Sequence, residues 1–214
     1  MSHAPRSLVA NRRRFLACSA LIGIDWFTAR RQALADDELA PEAQTDRLLV
    51  ERARAELERL GAAIPNRDVV GIADYALPCS RPRFHLIDMR AGRVIERFLV
   101  AHGRGSDPRH SGRVQRFSNQ IGSNASSEGA YRTGEHYVGT FGRAIRLEGL
   151  DGSNSNAEVR AIVVHSAWYV GPSMLQTRGK LGRSEGCFVF SDDDHEVILE
   201  RLGPDRLLLA GMFF

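Results

Sequence analysis

Ala161-Ile162-Val163-Val164-His165-Ser166 is the stretch that decides how the rest of the chain is read. An unbroken apolar run rich in β-branched residues suits a short buried strand, and this one delivers His165 at its end. Residues 166–183, eighteen in all, separate that histidine from Ser184-Glu185-Gly186-Cys187. Attack by a thiolate needs a nearby base to take the proton and a third group to fix the imidazole tautomer. Gly186, directly before the cysteine, lets a reacting carbonyl approach and leaves backbone N–H groups to receive developing negative charge. The same residues also have a plainer reading, as a small thiol in a β core and a structural histidine.

Around this pair the chain reads as mainly β, with a few helices (α+β). Phe84, Leu86 and Asp88-Met89 lead through Arg90-Ala91-Gly92 into an apolar-rich run over 94–101, the pattern of a hairpin. Residues 103–136, rich in Gly, Ser, Asn and Arg, are too long for an ordinary connection and form a candidate functional loop. Further short strands are expected between Tyr137 and Leu147, and a closing strand over 206–213. Leu49, Ala53, Leu57 and Leu60 recur at spacings of four and three, which predicts one amphipathic helix over 46–60, stopped by Gly61 and Pro65. Residues 36–44, polar and acidic with Pro41, read as a linker before it. Asp192-Asp193-Asp194 opens a short helix that ends near Leu202-Gly203-Pro204, and acidic residues there suit the helix dipole better than a metal. His102, at the end of a strand-like run, reads as structural.

Composition sets the outer limits. The 214 residues are 43% hydrophobic and 26% charged, enough for one globular domain with a short appendage. No run approaches the ~20 apolar residues of a membrane span. Three cysteines are too few for a disulfide scaffold. The net charge of +3 is uneven: six Arg against Asp25 give residues 1–35 a net +5, leaving −2 for 36–214. The body of the chain therefore offers no basic footprint for nucleic acid.

The spacing of His165 and Ser184-Glu185-Gly186-Cys187 resembles the motif of the YkuD-type L,D-transpeptidases, a His followed after fifteen to eighteen residues by Ser/Thr-His-Gly-Cys. The branch described as murein L,D-transpeptidase catalytic domains is the closer match. It is carried by Phe117-Ser118-Asn119, Gly122-Ser123, Ser126-Ser127, Tyr137-Val138-Gly139, Leu147-Glu148-Gly149-Leu150, Asn156-Ala157 and Gly182-Arg183-Ser184. The resemblance covers residues 68–214 and implies a β-sandwich of short mixed strands, making 66–214 the catalytic domain. It implies a cysteine acyl-transferase acting on peptidoglycan stem peptides, without metal or cofactor. Cys187 would be the nucleophile and His165 the base. The Ser166 carbonyl would orient the imidazole, and the Gly186 and Cys187 amides would hold the oxyanion. Arg183, Ser184, Ser123, Ser126, Ser127 and Tyr137 would line the substrate path. Two positions depart from the wider family. Glu185 stands where His is common, and would oppose a thiolate unless paired outward, with Arg183 as the expected partner. Val189 stands two residues after the cysteine, where Arg or Asn is common, so substrate carboxylate recognition would fall to Arg183 or an Arg of 103–136. The acyl acceptor, an amine or water, stays open, as does a wall-binding domain that kept only the fold. A bond between Cys79 and Cys187 would block the nucleophile.

Residues 1–35 read as an export signal. Asn11-Arg12-Arg13-Arg14-Phe15-Leu16 resembles the twin-arginine pattern, which would engage the export machinery through residues 11–16. Ala33-Leu34-Ala35 offers a small-x-small cleavage site, so the expected mature chain begins at Asp36, in the periplasm or another part of the cell envelope, with no anchor left. Lys at both Arg12 and Arg13 should strand the precursor in the cytoplasm on fractionation, because a twin-arginine receptor reads the guanidinium pair and not charge alone. Unchanged export of that variant would leave general secretion as the route.

Overall fold

The computed structural model describes residues 41–213, so the expected signal over 1–35 and the first part of the linker lie outside the described residues. Helix α1, Pro41–Leu60, starts several residues before the periodic pattern does. Residues 41–44 are therefore helix and not linker. Proline costs nothing at a first helical position, where its missing N–H would have no partner, and Glu42 suits the positive end of the helix. The apolar face docks as expected: Leu49, Val50, Ala53 and Leu57 pack on Val70, Ile72, Ile87, Val94, Leu207 and Leu209.

Eight strands follow: β1 (Val69–Asp74), β2 (Phe84–Asp88), β3 (Arg93–Phe98), β4 (Gly129–Gly139), β5 (Gly142–Gly149), β6 (Val163–Ser166), β7 (Phe188–Phe190) and β8 (Leu207–Gly211). Between them stand α2 (Pro172–Arg178) and α3 (Asp192–Arg201). The fold is mainly β, as expected. All eight strands form one sheet, in the order β3-β2-β1-β8-β4-β5-β6-β7. The β1/β8 and β6/β7 pairs are parallel and the others antiparallel.

The sheet is folded over on itself. Phe84 of β2 and Phe190 of β7, near opposite ends of the strand order, meet edge to face with ring centroids 4.9 Å apart. Beyond β3 the chain bridges to the far edge: Ala101 N–H donates to the Val189 carbonyl at 2.9 Å, and Gly103 pairs with Ser184. The expected sandwich is thus one curled sheet around a common core that includes Phe84, Tyr131, Ile145, Val164, Phe188 and Leu208, capped by Ile198 and Leu199 of α3. On the outer face, α1 covers the β1–β8 end. A smaller cluster of Val163, Val189, Cys187, Cys79, Ala101 and Leu181 forms at the β6/β7 end, against Tyr169, Met174 and Leu175.

Two further boundaries move. β4 begins at Gly129, inside the expected 103–136 loop, because Gly129, Gly134 and a register shift between Thr133 and His136 interrupt its alternation. The β1 segment carries Gly71 among its apolar residues, which weakens its strand signal; a Cβ there would lie 2.8 Å from the Phe84 ring. The acidic triplet forms the first turn of α3 as expected, with Ser191 Oγ accepting from the Asp194 N–H.

Leu49 is fully buried under the helix. Leu49→Ala should lower unfolding free energy by about 2–4 kcal/mol, read by urea denaturation, since a cavity remains where helix and sheet were joined.

Candidate active site

Strands β6 and β7 set the geometry. Val164 lies opposite Phe188 and His165 opposite Val189, which puts Cys187, one residue before β7, opposite Val163. The Val163 backbone N–H faces the sulfur. Val163, Cys187 and Val189 share one cluster, and His165, two residues after Val163, takes the same face of the strand. The sequence-identified histidine and cysteine are therefore diagonal neighbours on adjacent strands. Both are nearly buried, Cys187 at 9% exposure and His165 at 3%.

The Ser166 carbonyl accepts from His165 Nδ1 at 2.9 Å. A carbonyl can only accept, so Nδ1 carries the proton and Nε2 presents its lone pair. Phe141, at the β4/β5 turn, stacks on the ring with centroids 4.5 Å apart. The thiol donates to the Ala161 carbonyl at 3.6 Å, not to the imidazole. Ala161 itself has φ of +52°, a left-handed conformation that costs an L-residue about 1–2 kcal/mol. Turn hydrogen bonds from Ala161 N–H to Glu158 and from Ile162 N–H to Ala157 hold it there, both 2.9 Å. Burial pushes the Cys187 thiol up, opposed by the Val163 N–H and the Arg160 guanidinium. Burial pushes His165 down, opposed by its Ser166 hydrogen bond. Both shifts favour a neutral thiol beside a neutral imidazole.

The turn before the cysteine is clasped by Ser184. Its Oγ donates to the Cys187 carbonyl at 2.8 Å and accepts from the Gly186 N–H at 3.1 Å. Ser184 therefore holds the turn, and its Oγ takes the Gly186 N–H. The Cys187 N–H, like that of Val163, lies beside the sulfur. Gly186 itself is required, with φ of +123° and a site where a Cβ would lie 2.7 Å from the Ala125 carbonyl.

Other expected residues are redistributed. Glu185 is 65% exposed and pairs with Arg104 at 2.7 Å, not with Arg183. Arg183 donates to the Asp107 carbonyl. Ser126 and Ser127 are fully buried. Ser126 Oγ accepts from the Gly103 N–H, and Ser127 Oγ is bonded to the Tyr131 hydroxyl, so both are structural and do not line a substrate path. Ser123 is half-buried, its Oγ accepting weakly from the Ala125 N–H at 3.4 Å. Tyr137 lines a cleft of ≈ 210 Å³ with Arg146, Glu148, Glu158, Ala161 and Val163, beside the thiol's own partner residue. Cys79 and Cys187 are both free thiols.

Sequence reading missed Arg160, Ala161 and Phe141. A single arginine in a polar loop carries no periodic signal, Ala161 reads as the start of the apolar strand run where the structure places a turn, and Phe141 reads as one more turn residue between glycines. His102 is structural as expected: its Nδ1 meets the Arg83 guanidinium at 2.7 Å, and its Nε2 lies 3.4 Å from Asp107.

The family model of the L,D-transpeptidase catalytic domain matches residues 42–210. The chain belongs to that family. Among solved structures it is similar to an L,D-transpeptidase from Mycobacterium smegmatis, with 15% identity over 67% of this chain and 58% of that one, at a TM-score of 0.41. It is also similar to L,D-transpeptidase 3 from Mycobacterium tuberculosis in complex with a faropenem-derived adduct, with 16% identity over 67% and 60% of the two chains and a TM-score of 0.40. The chain thus spans about three fifths of the length of these relatives. No curated protein matches the sequence.

Buried histidines set an acid limit for this L,D-transpeptidase-family domain. Burial, aided by Arg83, lowers His102 to about 4, and burial, aided by Arg97, lowers His85 to about 4. Between pH 6.5 and 4 the folded chain binds fewer protons than the unfolded one, so this stability is whole above 6.5 and is lost as pH falls toward 4. Urea midpoints measured across that window should fall with pH, and less steeply in His85→Gln.

Proposed function

We propose that the protein is an exported L,D-transpeptidase that carries its acyl group on Cys187. The observation that supports this most is the pairing of His165 and Cys187 on one face of β6/β7, with Nδ1 fixed by the Ser166 carbonyl. Family membership supports the reaction class, and peptidoglycan stem peptides are the substrates that the class implies.

For the reaction the Cys187 thiol leaves the Ala161 carbonyl, to which it donates at rest, and turns toward His165 Nε2. Nε2 takes the thiol proton as sulfur attacks the carbonyl of the L-centre in a tetrapeptide stem. The Cys187 N–H stabilises the oxyanion of the tetrahedral intermediate. The imidazolium then returns its proton to the departing amine of the terminal D-residue, leaving a thioester. An amine of a second stem, deprotonated by His165, attacks the thioester and releases the cysteine. Tyr137 and the cleft beside Ala161 receive the donor stem. The site acts outside the cytoplasmic membrane, where that polymer lies; no helix among the described residues is long and apolar enough to cross a membrane.

Incubation with a disaccharide-tetrapeptide followed by intact mass spectrometry should show a thioester on Cys187, and a cross-linked product when an amine acceptor is present. Release of the disaccharide-tripeptide alone, with no cross-linked product, would make the enzyme a carboxypeptidase. Cys187→Ala should abolish acylation by the stem and by a carbapenem probe. His165→Ala should slow acylation about a hundredfold or more, with partial recovery at high pH where the thiolate forms unaided. Full activity in Cys187→Ala would overturn the assignment.

A further inference from the structure

Arg160 occupies a place that the reaction outlined above does not use. It lies near the end of the loop after β5, one residue before the strained Ala161 whose carbonyl accepts the thiol's hydrogen bond. Its Nη1 donates to the Ser118 carbonyl at 2.8 Å and to Ser127 Oγ at 3.1 Å, while Nη2 donates to the Ala125 carbonyl. A Cβ placed on Gly186 would lie 3.1 Å from that same Nη2, so the guanidinium sits against the residue next to the nucleophile. Three acceptors from one loop fix it there, and none of them is a carboxylate. A planar guanidinium held only by neutral oxygens keeps its full charge for whatever anion forms nearby.

Other groups facing the sulfur do not supply that charge. Glu185, on the nucleophile's own turn, is negative and directed outward to Arg104. Tyr75 and Tyr169 are each pushed up to about 12, mainly by burial, and stay neutral. His165 is lowered by burial, so it accepts a proton during the reaction but does not wait as a cation beside the thiol. Arg160 is the permanent positive charge among these groups.

We propose that Arg160 is the positioning residue of this site: it ties the 118–127 loop over the Cys187 turn and supplies the charge against which the thiolate forms. When the Sγ proton passes to His165 Nε2, the negative charge left on sulfur is offset by the Arg160 guanidinium. The inference rests on Cys187 being the nucleophile, but its test does not require turnover.

The rate of Cys187 carbamidomethylation by iodoacetamide, followed by peptide mass in the full chain across pH, reports thiolate formation directly. Arg160→Gln should move the midpoint upward by about one pH unit or more. Arg160→Lys keeps the charge and loses the three-oxygen clamp, so its midpoint should stay within about 0.5 unit of the original while the melting temperature falls. A role confined to holding the loop would leave the midpoint unmoved in Arg160→Gln, and that outcome overturns the proposal. If Arg160→Gln does not fold, Arg160→Lys decides alone: a midpoint displaced upward by a full unit overturns it, and a retained one supports it. Loss of the nucleophile assignment would show separately, as stem acylation that persists in Cys187→Ala.

Discussion

Everything at the site depends on how a three-residue strand is held. β7 spans only Phe188–Phe190, too short to keep a register by itself. It is gripped from both sides, by the parallel pairing with β6 and by the Ala101 and Gly103 bridges that fold the other end of the sheet onto its edge. The aromatic contact between Phe84 and Phe190 fills the space enclosed by that closure, and Phe188 packs edge to face on Tyr131 with centroids 5.4 Å apart. Removing the closure would leave β7 as an exposed edge and the cysteine turn without a second wall.

That grip has an electrostatic cost, because it buries both reacting groups. A desolvated thiol resists losing its proton, and a desolvated imidazole resists gaining one. The resting pair is therefore neutral, and proton transfer belongs to the reaction itself. Oxygen atoms of the backbone choose the starting arrangement: the Ser166 carbonyl fixes one imidazole nitrogen and the Ala161 carbonyl parks the thiol. A second buried polar group is Arg83, which reaches Val100, Leu77 and His102 and stacks over Tyr75 at 4.8 Å. Its partners are mostly carbonyls of the segments that lead into the closure, so the buried cation braces the chain where it turns toward β7.

Much of this was legible in the residues. The acidic start of α3 and the periodicity of α1 follow from local pattern, the apolar run at 161–164 locates β6 although the strand itself is Val163–Ser166 and Ala161 lies in the turn before it, and the His165/Cys187 spacing carried the family resemblance that the match over 42–210 bears out. What stayed hidden depends on contacts distant in sequence. β4 is broken by glycines and a bulge, and only its neighbours β5 and β8 make it a strand. Ser126 and Ser127 read as residues of the substrate path, yet tertiary packing buries them completely. Glu185 found Arg104 and not the nearer Arg183, because strand closure brings residues 103 and 184 together. A one-dimensional pattern cannot show a pairing made across eighty residues.

β8 is the last strand in the chain order, yet it stands between β1 and β4 in the middle of the sheet. It runs parallel to β1, its partner some 137 residues earlier (Val70 opposite Leu207), and antiparallel to β4. During synthesis, then, the ladder that joins the β3-β2-β1 and β4-β5-β6-β7 portions through the middle of the sheet can form only after residues 207–211 have emerged, and until then only the Ala101 and Gly103 bridges can link them. Displacing β8 would leave His165 and Cys187 on their paired strands while the two portions stayed joined only at the Ala101 and Gly103 bridges.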